Sequence, residues 1–315
     1  MDDTGPVPAD RCSAHRATDE RLESHPAREV HLGSLRVQRA LPIRDRRLVG
    51  PWCFLDRFGP LSFTDGRPMD VAPHPHIGLQ TVTWLLEGEV AHDDSLGCEA
   101  LARPGAVNVM TAGDGISHAE WTPARNSGRL DGVQLWVALP DERRHMTAEF
   151  QHVPEVPLVE LPGGTVRVFA GSLAGATSPA RHHSALVGAD LSVHRGETLA
   201  VELNADHEHA LFVLEGDATI DGQPLAGEQL HYLGVRRAGA TLASSAGARL
   251  LLVGGAPFSE TILMWWNFVA REPEEIARAR TDWSEHRRFG APTRYAGPRL
   301  EAPPLHRLAR PNPVS

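Results

Sequence analysis

The chain has 315 residues, of which 41% are hydrophobic and 23% charged, an ordinary globular composition that is long enough for two domains with hydrophobic cores. A formal net charge of −9, without any block of basic residues, argues against binding of nucleic acid or anionic lipid and favours a small molecule or a protein as partner. Three scattered cysteines, no signal peptide and no run near the roughly 18 apolar residues of a membrane span lead us to expect a cytoplasmic protein.

The predicted elements are mostly short strands joined by turns. Residues 1 to 27 show no hydrophobic periodicity, and we expect them to form a disordered leader. After them, apolar and β-branched runs alternate with turn residues, and 25 Pro and 29 Gly favour many strands over helices. The clearest strand candidates are residues 35–41, 52–56, 81–86, 107–111, 116–121 and 132–140.

Two paired motifs between residues 74 and 120 suit a metal ion. His74 and His76 stand two residues apart, as do His118 and Glu120, and on a β-strand this spacing points both side chains to the same face. Three imidazoles and one carboxylate form a nitrogen and oxygen shell that suits iron, manganese, nickel, copper or zinc and leaves positions open on a six-coordinate ion. The alternatives are ordinary strand residues and a structural zinc site. The paired spacing argues against the first, and the size of the domain argues against the second.

The second half of the chain repeats the first half. The run Leu86-Glu87-Gly88-Glu89-Val90 recurs 128 residues later as Leu214-Glu215-Gly216-Asp217-Ala218, which indicates an internal duplication. Alignment of the two copies puts Glu202 and Asn204 opposite His74 and His76, and Ala240 and Leu242 opposite His118 and Glu120. The second copy is therefore predicted to lack the metal ligands.

One helix is predicted, over residues 271–283. Pro273 stands near its start, two glutamates follow in the first turn, and Ile276, Ala279 and Trp283 lie along one stripe. Beyond the helix Pro and Arg dominate, and we expect a loose strap or tail.

These residues resemble the pirins, which are two-domain members of the cupin superfamily. The match spans roughly residues 28 to 290, and paired histidine motifs at this separation are more specific than a lone histidine pair. The segments that carry the resemblance are Val49-Gly50-Pro51, Phe54-Leu55-Asp56, Phe58-Gly59-Pro60, His74-Pro75-His76-Ile77-Gly78-Leu79, Thr81-Val82-Thr83, Asp94-Ser95-Leu96-Gly97, Met110-Thr111-Ala112-Gly113, Gly115-Ile116, His118-Ala119-Glu120 and, more weakly, Trp265-Trp266-Asn267-Phe268.

The resemblance implies an all-β bicupin, with two cupin-type antiparallel β-barrels and a C-terminal helix. It also implies a single divalent ion, most simply Fe(II), in the N-terminal barrel, with His74, His76, His118 and Glu120 as its ligands. The expected domains are a disordered leader (1–27), a metal-binding cupin (28–145), a metal-free cupin with the helix (146–290) and a Pro/Arg-rich tail (291–315).

Pirins include members with quercetin 2,3-dioxygenase activity on flavonols and members that regulate partner proteins. Ile77 stands where eukaryotic pirins carry an Arg, so a bacterial pirin is the better comparison. We predict a mononuclear iron dioxygenase for a small aromatic, flavonol-like substrate, with Glu120 as the catalytic group that takes the substrate proton. The alternative is a metal- and redox-dependent regulator that binds a partner such as a metabolic enzyme.

Further side chains are candidates for the pocket around the metal. Gln80 and Trp84 are candidates for the substrate pocket; a polar residue at the barrel mouth is the equal alternative for Gln80, and core packing is the favoured interpretation of Trp84. His92 and Asp94 could steer substrate, but a solvated loop is the favoured interpretation.

The second half contains three histidines that could suggest another metal site. His207 and His209 fall out of phase with the ligands of the first copy, and with His231 they are predicted to be surface residues.

Overall fold

The computed structural model of the protein describes residues 22–32 and 35–305. Its described part is almost entirely β, with 25 strands and one helix. In chain order the elements are β1 Glu23–Pro26, β2 Arg28–Leu32, β3 Leu35–Leu41, β4 Trp52–Ser62, β5 Asp70–His76, β6 Leu79–Gly88, β7 Val90–Asp94, β8 Glu99–Ala102, β9 Val107–Thr111, β10 Ile116–Trp121, β11 Arg129–Ala138, β12 Glu149–Val153, β13 Leu158–Leu161, β14 Gly164–Leu173, β15 Ala176–Thr177, β16 Leu186–Val193, β17 Thr198–Glu202, β18 Glu208–Gly216, β19 Ala218–Ile220, β20 Gln223–Leu225, β21 Gln229–Gly234, β22 Gly239–Ala243, β23 Ala248–Gly255, β24 Leu263–Trp265, β25 Phe268–Ala270 and α1 Pro273–Ser284.

The strands form two barrels of the same design. The N-terminal barrel has a seven-stranded sheet in the order β12-β9-β6-β11-β4-β3-β2 and a four-stranded sheet in the order β5-β10-β7-β8. The C-terminal barrel has a large sheet in the order β1-β21-β18-β23-β16-β14-β13, to which β15 adds, and a four-stranded sheet in the order β17-β22-β19-β20. The predicted all-β bicupin architecture is confirmed.

The repeated Leu-Glu-Gly run ends an equivalent strand in each barrel. Gly88 ends β6 and Gly216 ends β18, with φ of +89° and +76°. A Cβ atom on either glycine would lie 2.2 or 2.1 Å from a backbone carbonyl oxygen of the neighbouring chain segment. Both positions therefore require glycine, for the left-handed conformation and for the close backbone approach.

The large sheets of the two barrels pack against each other around a shared hydrophobic core. The Trp84 ring from β6 stacks on Phe169 from β14, with centroids 5.2 Å apart. The Trp52 indole N–H from β4 donates to the backbone oxygens of Val187 and Gly254, at 3.1 and 3.0 Å. One buried ring stack and two buried hydrogen bonds thus hold the two barrels together.

Two predicted domain boundaries are wrong because an N-terminal strand, β1, pairs in the C-terminal barrel, and a strand beyond residue 145, β12, pairs in the N-terminal barrel. β1 pairs with β21 of the C-terminal barrel, so residues 23–26 are not part of a disordered leader; residues 1–21 lie outside the described part. β12 pairs with β9, so the N-terminal barrel extends beyond the predicted end at residue 145 to Val153. Both strands are short edge strands, whose place is set by a distant partner and not by their own pattern.

The helix lies where the sequence predicts it, at Pro273–Ser284, with Ile276, Ala279 and Trp283 buried. It packs with β25 against the N-terminal barrel, where Phe268 forms a bridge with Ile77. Among the described residues no helix combines the length and apolar character that crossing a membrane requires.

The described part of the predicted tail, residues 291–305, lies along the outer face of the four-stranded sheet β5-β10-β7-β8, which carries the two paired motifs. The backbone N–H groups of Arg294 and Tyr295 donate to Oδ2 of Asp93 on β7, and the backbone N–H of Leu300 donates to the carbonyl of Pro73 on β5. The segment is a strap held by hydrogen bonds; residues 306–315 lie outside the described part.

Candidate metal centre

Neighbouring strands of the small sheet bring the two paired motifs together. β5 carries His74 and His76, β10 carries His118 and Glu120, and His118 lies directly opposite His74 in the register. The three imidazoles have ring nitrogens that all lie within 4.8 Å of one another. The Glu120 carboxylate lies within the same distance of ring nitrogens of His118 and His92. All four predicted side chains are buried.

Backbone carbonyls orient two of the imidazoles. Nδ1 of His74 donates to the carbonyl of Ala72 at 2.9 Å, and Nδ1 of His76 donates to the carbonyl of Asn267 at 3.1 Å. Because a carbonyl oxygen only accepts, these contacts place the proton on Nδ1 and leave Nε2 with its lone pair. Nε2 of His76 lies 3.1 Å from Nε2 of His118. Two nitrogens bound at about 2.1 Å and at right angles on one ion lie about 3.0 Å apart, so the residues fit a metal ion.

Burial tunes the charges of these groups. It lowers the pKa of His74 to about 4 and lowers the pKa of both His76 and His118 well below the ordinary histidine value. Burial also raises the pKa of Glu120, against the effects of His92 and of a hydrogen bond from Thr83 at 3.1 Å. Neutral imidazoles are the form that binds a metal, and a cation offsets the cost of burying the carboxylate.

The large sheet faces the motifs with a row of polar side chains in register across six strands. The Thr83 hydroxyl lies 2.9 Å from Oε1 of Gln134, and Arg39 donates twice to the Asp56 carboxylate at 2.8 and 2.7 Å. The row consists of His152, Asn108, Thr83, Gln134, Asp56 and Arg39.

One member of this polar row keeps a free donor. Oδ1 of Asn108 accepts from Nδ1 of His152 at 2.7 Å, whereas Nδ2 of Asn108 is buried and has no partner among the described residues. Asn108 is the register neighbour of Thr83, whose hydroxyl reaches Glu120. An unpaired buried N–H is costly, so a bound oxygen atom would stabilise this side chain.

A second row lies on the same face of the large sheet, two residues along each strand from the polar row, and it is largely aromatic. Phe54 and Trp136 stack with centroids 4.1 Å apart, and the His76 and Trp136 rings meet edge to face with centroids 5.3 Å apart. Phe150 stacks on His92 at 4.2 Å. The metal motifs therefore face flat apolar surfaces beside a polar strip.

The sequence matches two family models that together cover most of the chain. Residues 34–137 match the model described as pirin, and residues 188–290 match the one described as the pirin C-terminal cupin domain. The chain belongs to the pirin family.

Relatives of this pirin carry dioxygenase names. A Pseudomonas aeruginosa protein named "putative quercetin 2,3-dioxygenase" is 45% identical over 304 residues, which are 94% of this chain and 96% of that protein. A crystal structure described as quercetin 2,3-dioxygenase from Acinetobacter baumannii superposes with a TM-score of 0.89 at 42% identity, covering 92% of this chain and 98% of that one. The nickel(II) complex of the Escherichia coli pirin YhhW shares the fold, with a TM-score of 0.61 at 16% identity, covering 76% of this chain and all (100%) of that one.

The placement of Gln80 and Trp84 in the substrate pocket is wrong for this pirin, whereas core packing, the favoured interpretation of Trp84, is confirmed. Both side chains face the other barrel: Trp84 Nε1 donates to Asp190 at 3.0 Å, and Oε1 of Gln80 accepts from Nδ1 of His182 at 3.2 Å. Gly78, with φ of +69°, separates β5 from β6, so the alternation restarts and does not carry over from His76. Thr81 and Thr83 occupy the inner face instead.

The solvated-loop interpretation of His92 and Asp94 is also wrong. Both lie on β7 beside β10, with exposed fractions of 3% and 0%, and Nε2 of His92 lies 3.1 Å from Oδ2 of Asp94. Their His-x-Asp spacing repeats that of the two metal motifs, which is the signal that sequence reasoning could have used.

The prediction of surface histidines in the second half is wrong for two of the three. His209 and His231 are buried, and His231 hydrogen-bonds Ser24 of β1 and the carbonyl of Ala226. His207 is half-buried. Strand β1 covers part of this face, which spacing alone does not reveal.

Proposed function

We propose that this pirin binds one divalent metal ion through His74, His76, His118 and Glu120 and acts as a dioxygenase of the quercetin 2,3-dioxygenase type on flavonol-like substrates. The observation that carries the proposal is the convergence of three imidazoles inside a barrel whose opposite wall is aromatic and polar. The names of two close relatives support the same reaction class.

The donor set favours a borderline metal. When bound, a divalent ion supplies Lewis acidity that favours the ionised form of a coordinated substrate hydroxyl. Fe(II) is the proposed metal, since imidazole and carboxylate suit iron; the same ligands also suit nickel, which the Escherichia coli neighbour holds.

Glu120 is proposed to accept the proton of the substrate hydroxyl. Burial raises the pKa of its carboxyl group in the metal-free protein, and a bound cation would oppose that rise, so Glu120 would accept the proton when it is detached from the ion or weakly bound to it. The Thr83 hydroxyl, 3.1 Å from Oε1, holds the group in place. A base that is both buried and oriented loses little freedom when it takes the proton.

The two inner rows are proposed to hold the substrate. Trp136 and Phe150 offer flat surfaces to a planar ring system, with stacking worth about 0.5–1.5 kcal/mol per pair. The free Nδ2 of Asn108 offers a donor to a ring oxygen. An oxygenated flat aromatic satisfies both rows.

Anaerobic loading of the chelated protein with Fe(II), Ni(II) or Mn(II), followed by flavonols and dioxygen, tests the proposal. We expect loss of flavonol absorbance coupled to dioxygen uptake, and no turnover of flavones that lack the 3-hydroxyl group. Absence of turnover with every metal across the flavonol panel overturns the enzyme function. The alternative of a regulator that binds a metabolic enzyme stays a prediction.

A further inference from the structure

We infer that the buried pair His92 and Asp94 fixes the tautomer and orientation of His118, and so controls metal affinity without binding the metal. The inference rests on the proposed metal site, but it concerns hydrogen bonds among residues of this chain. His92 and Asp94 are therefore positioning residues.

The pair lies beside the metal motifs and away from water. β7 is the neighbour of β10 in the small sheet, where Asp94 lies opposite His118 and His92 lies opposite Glu120. The exposed fractions of His92, Asp94 and His118 are 3%, 0% and 1%. Hydrogen bonds between these groups therefore face no competition from bulk solvent.

The turn after β7 holds the Asp94 carboxylate in place. Oδ1 accepts the backbone N–H groups of Leu96 at 2.9 Å and Cys98 at 3.1 Å. This leaves Oδ2 for Nε2 of His92, at 3.1 Å. A carboxylate only accepts hydrogen bonds, so the proton of the His92 ring stands on Nε2.

The proton position on His92 sets the proton position on His118. With its proton on Nε2, the His92 ring presents Nδ1 as the acceptor toward Nδ1 of His118, 3.4 Å away. Nδ1 of His118 must then donate, which leaves the lone pair on Nε2, the atom that lies 3.1 Å from Nε2 of His76. All three imidazoles thus present Nε2 to one another.

Two further observations support this role. The Phe150 ring stacks on His92 at 4.2 Å with an interplanar angle of 11°, which holds the imidazole plane. In the C-terminal barrel, where β19 and β22 take the places of β7 and β10, Ile220 lies opposite Leu242. The barrel without the metal motif has thus an aliphatic pair where the metal barrel has His92 and Glu120.

The isosteric substitution Asp94→Asn tests the relay. Its Oδ1 keeps the two backbone N–H groups, so its amide N–H₂ turns to His92 and donates. His92 must then carry its proton on Nδ1 and donate to His118, whose proton moves to Nε2, the metal-facing nitrogen. We expect the Kd for Ni(II) and Fe(II), measured by competition with a chromophoric chelator, to rise about 10- to 100-fold.

A double-mutant cycle shows whether the effect passes through His92. In a His92→Phe background, Asp94→Asn no longer reaches His118, so it should change the Kd little. His92→Phe alone should weaken binding less than Asp94→Asn alone, because it frees the His118 tautomer and does not invert it. Asp93→Asn on the opposite face of β7, whose carboxylate binds the strap, is the matched control and should leave the Kd unchanged.

Equal Kd values for the wild type and Asp94→Asn overturn the relay and leave the proposed function in place, whereas a wild type that binds none of these ions overturns both. Electron paramagnetic resonance of Cu(II)-loaded His92→Phe should show as many coupled nitrogens as the wild type. Loss of one nitrogen makes His92 a ligand and overturns the positioning role.

Discussion

The two barrels have the same strand order, but the interior of the N-terminal barrel is polar and that of the C-terminal barrel is apolar. Where the inner face of the N-terminal sheet carries Thr83 paired with Gln134, the C-terminal sheet carries Leu211 paired with Leu252. The row of the C-terminal barrel continues through Ala189 to Val168, and all four residues are buried in one apolar cluster. One copy of the fold is filled with hydrocarbon, and the other keeps polar groups around a metal motif.

This difference shows how a barrel can carry a polar interior. The outer face of the N-terminal large sheet contributes Trp52, Trp84, Val109 and Leu135 to the core shared with the C-terminal barrel. Burial of that face supplies stability that the polar inner face does not. The apolar copy is therefore the support on which the functional copy depends.

The largest expected effect comes from removing a metal ligand of the N-terminal barrel. His76→Ala should weaken metal binding by more than about 100-fold, since a direct ligand contributes more than the groups that orient it. Metal content by mass spectrometry and flavonol turnover should both fall to background. His231→Ala, a buried histidine of the other barrel, should retain both; equal loss in the two variants would show that the effect is general unfolding.

Truncation at matched positions of the two inner rows should affect stability unequally. Leu252→Ala opens a cavity in the apolar barrel and should lower the free energy of unfolding by about 2 to 5 kcal/mol. Gln134→Ala removes a half-buried hydrogen-bonding group and should cost about 1 kcal/mol. Urea unfolding followed by tryptophan fluorescence measures both. Similar costs would mean that the two interiors contribute equally.

A buried histidine of the apolar barrel should make stability depend on pH. Burial, more than the neighbouring His207 and Arg237, lowers the pKa of His209 from 6.5 to about 4. Above pH 6.5 the imidazole is neutral in both states; as the pH falls to 4, the unfolded chain takes up a proton that the folded chain does not. The contribution of His209 to the free energy of unfolding should therefore fall by about 3 kcal/mol between pH 6.5 and 4, then level off.

His209→Gln is the check on that pH dependence. The variant lacks the titrating ring, so its stability should decline less over this range than that of the wild type in parallel denaturant titrations. Identical pH profiles for the two proteins would contradict the assignment to His209.

The smallest expected effect concerns the polar row as a substrate surface. Asn108→Leu keeps the approximate shape and removes the Nδ2 donor without adding a charge, and loss of one hydrogen bond of about 1 kcal/mol should lower kcat/KM about fivefold. The decrease in kcat/KM should be smaller for a flavonol that lacks the ring hydroxyl contacted by Asn108. A uniform decrease across all substrates would point instead to a change at Glu120 through Thr83.

The metal motif could be predicted from the sequence because its geometry is local. His74 with His76, and His118 with Glu120, are fixed to one face by strand alternation alone. The alternation did not extend beyond one strand: Gly78 resets it, so Gln80 and Trp84 face the other barrel. The repeat alignment failed for a related reason.

The alignment of the two copies was displaced by an odd number of residues at β17. Glu202 and Asn204, placed opposite His74 and His76, are exposed, whereas Val201 and Leu203 point into the apolar core. A shift of one residue exchanges the two faces of a strand. Ala240 and Leu242, the partners on the second strand, do face the interior.

The sequence by itself determined the all-β class, the duplication, the helix and the two ligand pairs, because each depends on spacing within one element. Only the tertiary structure decided which strands exchange between barrels, how His92 and Asp94 meet His118, and which wall faces the metal motif. Those features depend on pairings between residues that are far apart in the chain. Sheet register sets such pairings, and no local pattern encodes them.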